Sequence, residues 1–130
     1  MKDWLDDVAW NTDGLVPAVA QDATSREVLM VAWMNRESLR QTVESGEAVY
    51  WSRSRRALWK KGETSGHVQR VREIRLDCDG DTIVLQVESV GGVACHTGRR
   101  RCFFNLLEDR DGRRWVATDP VIEKPADAHG

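Results

Sequence analysis

"LVPAVAQDATSREVLMVAWMNRESLRQTVESGEAVYWS", Leu15 to Ser52, decides the fold class. "LVPAVAQD" reads as a first strand and "EVLMVAWM" as a second, largely buried one. Asp22 to Arg26 is the polar loop between them, so the pair is expected to be a hairpin. Asn35 can cap a helix over Arg36–Ser45, and Gly46 can stop it. Leu39 and Val43 lie four apart and predict its apolar stripe. "AVYWS" then returns as a strand. Two strands, a helix and a third strand within so short a run argue for α+β.

The same signals continue outward. "RSRRALWKKGETSG" is a long polar, basic stretch with turn residues. "VQRVREIRLD" alternates, but Val68, Val71, Ile74 and Leu76 are only partly in phase, which predicts a bulge. "TIVLQVES" is a cleaner strand, and "VGGVACHTGRR" a Gly-rich loop. "CFFNLLE" reads as a final core strand and "DRDGRRWVA" as a hairpin end. The expectation is a single compact β-rich domain with one or two short helices over residues 1–119. From Pro120, "PVIEKPADAHG" lacks periodicity and reads as a flexible tail, 120–130.

The chain has 130 residues, 41% hydrophobic and 31% charged, which suits one globular domain. A net charge of −2 predicts no general attraction to nucleic acid or anionic membrane. No apolar run approaches the ~20 residues of a membrane span. "MKDWLDDVAW" is too acidic for a signal peptide, so a cytoplasmic protein is expected. Yet eight basic residues lie between Trp51 and Arg75, opposed only by Glu63 and Glu73, and Arg99, Arg100 and Arg101 form a second cluster. Local patches on a mildly acidic chain suggest a small anionic ligand.

Asp77 to Thr82 reads "DCDGDT". In a strand, Asp77, Asp79 and Asp81 would share one side and Cys78 the other, which could hold two different metals on opposite sides. Asp-Gly is equally a hairpin-turn pair. A calcium loop is excluded, because its obligatory glycine position is Thr82 and its flanks are strand-like. A hard cation such as Mg²⁺ still suits the carboxylates. Cys78, Cys95 and Cys102 contain no C-x-x-C pair, which disfavours a zinc finger. Three thiolates plus a water is a catalytic zinc pattern; three buried core thiols is the competing reading. His96 follows Cys95 and could serve as a base. "WSRSRRALWKKGETSGH" offers phosphate donors, and Trp51 and Trp59 could stack on a base. Two rivals follow from these residues: a zinc-stabilised module binding single-stranded RNA, and a hydrolase with Cys95 as nucleophile.

"WSRSRRALWKKGETSGH", "DCDGDT" and "ACHTGRRRCFF", in that order, resemble the phosphoribosyl-AMP cyclohydrolase family of histidine biosynthesis. The resemblance runs from about Leu29 to Phe104. It implies hydrolysis of the purine ring of phosphoribosyl-AMP between N1 and C6, giving the formimino imidazole-carboxamide ribonucleotide ProFAR. It implies a zinc- and magnesium-dependent homodimer. Zinc would be held by Cys78 of one subunit with Cys95 and Cys102 of the other, and magnesium by Asp77, Asp79 and Asp81. His96 would be the catalytic base. Trp51, Ser52, Arg53, Ser54, Arg55, Lys61, Thr64, Ser65, Gly66 and His67 would bind the phosphorylated nucleotide. Neither nucleic acid nor membrane is an expected partner. Two departures stand beside the thiols: Arg101 replaces a small residue before the last cysteine, and the loop before Cys95 is one residue longer.

Overall fold

Two apolar strands folding back through a polar loop make a hairpin, and that hairpin is the middle of a six-stranded sheet in the computed structural model, which describes residues 3–124. β1 (Leu15–Asp22) and β2 (Val28–Asn35) pair antiparallel, with Ala18 opposite Ala32. The loop between them closes because the Asp22 carboxylate accepts from the backbone N–H of Thr24 and Ser25, at 3.2 and 2.7 Å.

Helix α1 (Arg36–Ser45) begins and ends at the residues the sequence nominates. Asn35 accepts from the Ser38 amide at 2.8 Å, and Ser38 Oγ accepts from the Asn35 amide at 2.9 Å. Gly46 takes the left-handed C-cap at φ 77°. The predicted stripe needs one correction. Leu39 is buried, but Val43 is 50% exposed and Thr42 takes the inner position instead. Thr42 Oγ1 accepts from Val49 N at 2.9 Å and so joins the helix to the next strand.

That strand is β3 (Val49–Ser52). It is followed by β4 (Ala57–Lys60), β5 (Gln69–Leu76) and β6 (Ile83–Ser89), in sheet order β4-β3-β2-β1-β6-β5. Sequence reading left β4 within a polar stretch. β5 carries the predicted irregularity, between Val71 and Glu73. β6 runs parallel to β1 and every other neighbouring pair is antiparallel. Val16, Ala18 and Ala20 of β1, Met30 and Met34 of β2, and Ile83, Leu85 and Val87 of β6 build one core with Leu39 and Tyr50. Each large apolar side chain so buried contributes roughly 1.5–3 kcal/mol.

"CFFNLLE" is not a core strand. β7 (Asn105–Asp109) pairs only with β8 (Arg113–Ala117), in a two-stranded sheet of its own. Phe103, Leu106 and Trp115 are 54%, 60% and 70% exposed. Among the described residues the fold is thus β-rich with one α-helix, plus short 3₁₀ turns at Trp4–Asp7 and Val90–Gly92. Among the described residues, no helix is long and apolar enough to cross a membrane. Of the stretch read as a tail, residues 120–124 are described; residues 125–130 lie outside the described residues.

Candidate active site

The Asp77–Thr82 segment turns the chain from β5 into β6. Asp77 N donates to Thr82 O at 3.0 Å, and Gly80 N donates to Asp77 O at 3.1 Å. The alternation expected of a strand therefore does not apply. Ligand atoms of Asp77, Cys78 and Asp79 all lie within 4.8 Å of one another, so the cysteine stands with the carboxylates and not behind them. Hydrogen bonding to Asp77 and then Asp79, together with their like charge, holds the Asp81 carboxyl above its usual range. Crowded exposed carboxylates of this kind suit a hard cation with oxygen ligands.

The second group is the loop carrying the other two cysteines. Ala94 N and Cys95 N donate to Arg100 O and Arg99 O at 3.2 and 3.1 Å, which folds the loop into a tight return. Cys102 N donates to Leu29 O at 2.7 Å and pins the end of the loop to β2. Cys95 is buried and Cys102 exposed. Their thiols influence one another: desolvation, and then the neighbouring Cys95, push the Cys102 thiol up to about 11. Such a sulfur pair is a donor set suited to zinc. Among the described residues Cys78 does not join it; the three thiols form no single ligand group within one chain. Lys61 lies against this loop, its Nζ donating to Ala94 O at 2.7 Å. Burial lowers its pKa, while Cys102 and Cys95 oppose that shift. His96 is exposed beside Cys95.

The second basic cluster is largely paired internally. Arg100 Nε lies 2.7 Å from Glu27 Oε1, and Arg101 Nε lies 2.8 Å from Asp119 Oδ2. Arg99 Nε donates to Asp119 O, and its guanidinium lies 4.0 Å from the Phe104 ring centre. Arg101 is therefore accommodated by carboxylates.

The remaining residues gather along β3, β4 and the loop after them. A groove of about 520 Å³ is lined by Trp51, Ser52, Arg53, Ser54 and Trp59, with Trp33 opposite. The Arg53 guanidinium lies 4.5 Å from the centre of the Trp33 ring. Trp33 is a groove residue that the motifs of the sequence do not include. Its signal is the alternation of β2, which sets Trp33 and Trp51 as cross-strand partners. A smaller pocket of about 160 Å³ lies nearby, walled by Arg55, Lys61, Thr64 and Ser65, with one carboxylate, Glu63, among them. Gly62 lets its loop close: a Cβ there would stand 2.3 Å from the His67 carbonyl carbon. Gly66 N donates to Gly62 O at 2.8 Å, and His67 N to Ser65 Oγ at 3.1 Å. Backbone turned this tightly, with hydroxyls and cations around it, is suited to a phosphate.

A sequence model of the phosphoribosyl-AMP cyclohydrolase family matches residues 30–104. That stretch contains the groove, the Asp turn and all three cysteines. Curated relatives extend the likeness along the whole chain. A phosphoribosyl-AMP cyclohydrolase of Cellvibrio japonicus (strain Ueda107) is 67% identical over 129 residues, covering 99% of this chain and 100% of the relative. One of Marinobacter nauticus is 62% identical, over 98% of this chain and 91% of its own length. One of Thiobacillus denitrificans is 63% identical, over 96% of each. With its aromatic groove, phosphate-suited loop and thiol pair all inside the matched stretch, the chain belongs to the phosphoribosyl-AMP cyclohydrolase family.

Proposed function

We propose that the protein hydrolyses phosphoribosyl-AMP to ProFAR, a step of L-histidine biosynthesis. Water adds its oxygen to C6, the N1–C6 bond breaks, N1 takes the proton and C6 becomes the carboxamide. The observation that carries the reading is the pair Cys95 and Cys102, set beside His96 within the family match. Completing the donor set with a third thiolate requires Cys78, which stands apart from that pair within one chain. A homodimer in which one chain lends Cys78 to the Cys95–Cys102 pair of the other meets that need. Zinc, when bound there, makes water a usable nucleophile near neutral pH. Asp77, Asp79 and Asp81 would hold magnesium beside the same cysteine.

The chain's own residues supply the rest. Arg55, Lys61, Thr64, Ser65 and the Gly66 turn would take a phosphate, while Trp51, Ser52, Arg53 and Ser54 border space for the ring and sugar. His96, exposed beside Cys95, is free to receive a proton from the attacking water. The reading makes the protein a cytoplasmic enzyme acting on a small nucleotide, with neither nucleic acid nor membrane as partner. The test is an assay with phosphoribosyl-AMP, following the ultraviolet change on ring opening, with metal content measured on the same sample. The expected result is turnover with about one zinc per chain. Zinc-loaded protein that leaves the substrate intact would refute the activity.

A further inference from the structure

Residues Asp119 to Glu123 cross the outside of the thiol loop. Ile122 N and Glu123 N both donate to Gly98 O, at 2.8 and 3.1 Å. Gly98 is the point of closest approach: a Cβ there would stand 1.8 Å from Glu123 O. Arg99 Nε and Arg101 Nε hold the other end of the segment through the Asp119 carbonyl and carboxylate, at 2.9 and 2.8 Å. Seated in this way, Glu123 brings Oε2 to 3.0 Å from His67 Nε2. His67 closes the substrate loop from the other side, and its ring is confined there. A Cβ on Gly91 would lie 2.5 Å from His67 Cδ2, and the side chain is only 19% exposed.

An imidazole nitrogen facing a carboxylate at hydrogen-bond distance carries the proton, which leaves the other nitrogen as the acceptor. We propose that Glu123 is a positioning residue: it holds the proton of His67 on Nε2 and so presents Nδ1 as the acceptor for a substrate N–H. The adenine ring carries such a group on the carbon that reacts. This rests on the ring-opening reading above. It divides the two histidines of the site by mounting. His96 is exposed, and His67 is clamped between Gly91 and a carboxylate delivered by a separate segment.

The test uses the full chain and a readout that packing alone does not move. Imidazole nitrogen–proton correlation spectra report the tautomer of each of the 3 histidines, with His67→Gln assigning the signal. The wild-type His67 is expected as Nε2–H. Glu123→Ala is expected to mix the tautomers and lower kcat roughly 10–100-fold, the scale on which carboxylate partners of functional histidines act. KM is expected to stay within about twofold, because the bond to Nδ1 is one that strengthens in the transition state rather than in the bound substrate. Glu123→Gln keeps an oxygen acceptor and is expected to restore both the tautomer and most of kcat. An unchanged tautomer in Glu123→Ala, or an unchanged kcat, overturns the proposal. So does a drop in thermal stability without a change of tautomer, which would leave Glu123 a mere strap. If wild-type protein fails to open the ring, the activity falls, while the spectra still decide the Glu123–His67 pair.

Discussion

Tyr50 is fully buried and still satisfies its hydroxyl, which donates to Gln69 Oε1 at 2.6 Å. Gln69 Nε2 in turn reaches Met30 Sδ at 3.3 Å. Tyr50→Phe would leave the glutamine oxygen buried and unpaired, at a cost of about 1–3 kcal/mol. Urea denaturation should show that loss as a lower midpoint with an unchanged slope. The Asp turn makes a second residue-scale prediction. Asp79→Asn removes one carboxylate from the group that surrounds Cys78. It should leave zinc bound and raise the Mg²⁺ concentration needed for turnover; loss of zinc at unchanged Mg²⁺ dependence would assign the carboxylates to the other ion. Residues of this kind were legible by type and not by direction. Asp77, Cys78 and Asp79 could be named from the sequence, but the turn that points them together is set by Gly80 at φ 78° and by backbone hydrogen bonds across it. Val43 stands outside the helix's inner face, and Thr42 within it, for a related reason. Apolarity predicts which side chain prefers burial, whereas the inner helix position here is a hydroxyl that satisfies the Val49 amide.

The β7–β8 hairpin presents Leu106, Leu107 and Trp115 to solvent at 60%, 46% and 70% exposure. A two-stranded ribbon is marginal by itself, and large apolar side chains so exposed mark an interaction surface. The hairpin also starts just after Cys102. We therefore predict that the protein dimerises and that this hairpin packs on the second copy. Leu106→Glu should give a monomer by sedimentation and lose activity, with the β1–β6 sheet intact by circular dichroism. A variant that still sediments as a dimer would move the interface elsewhere. Elements with their own punctuation were readable: α1 between Asn35 and Gly46, and the hairpin β1–β2 around Asp22. β4 is not, because Ala57–Lys60 lies at the sheet edge, where Ala57 and Leu58 are exposed and Trp59 and Lys60 only partly buried. β7 reads as core in the sequence because apolarity alone does not say which surface will cover it.

At the scale of the whole molecule, the proposal that two subunits share each site makes complementation the decisive experiment. Chains carrying Cys78→Ser and chains carrying Cys95→Ser should each be inactive and zinc-poor. Mixed under conditions that exchange subunits, they form hybrids in which one site keeps all three thiols and the other loses two. Activity should return to a fraction of the wild-type value. No recovery, with exchange demonstrated by mass spectrometry, would place the three cysteines in one subunit. The sheet topology has a different consequence, for assembly in time. β1 is an interior strand, but its second neighbour is β6, so Ala18 must wait for Ile83. Until the chain has been synthesised through Ser89, β1 is a bare edge of Val and Ala, with Pro17 the one position beside the β6 ladder that offers no backbone donor. Such distant pairing slows folding, because loop closure must precede any gain from the contact. The nascent hairpin is therefore the stretch most exposed to misassembly while the rest of the chain is still being made.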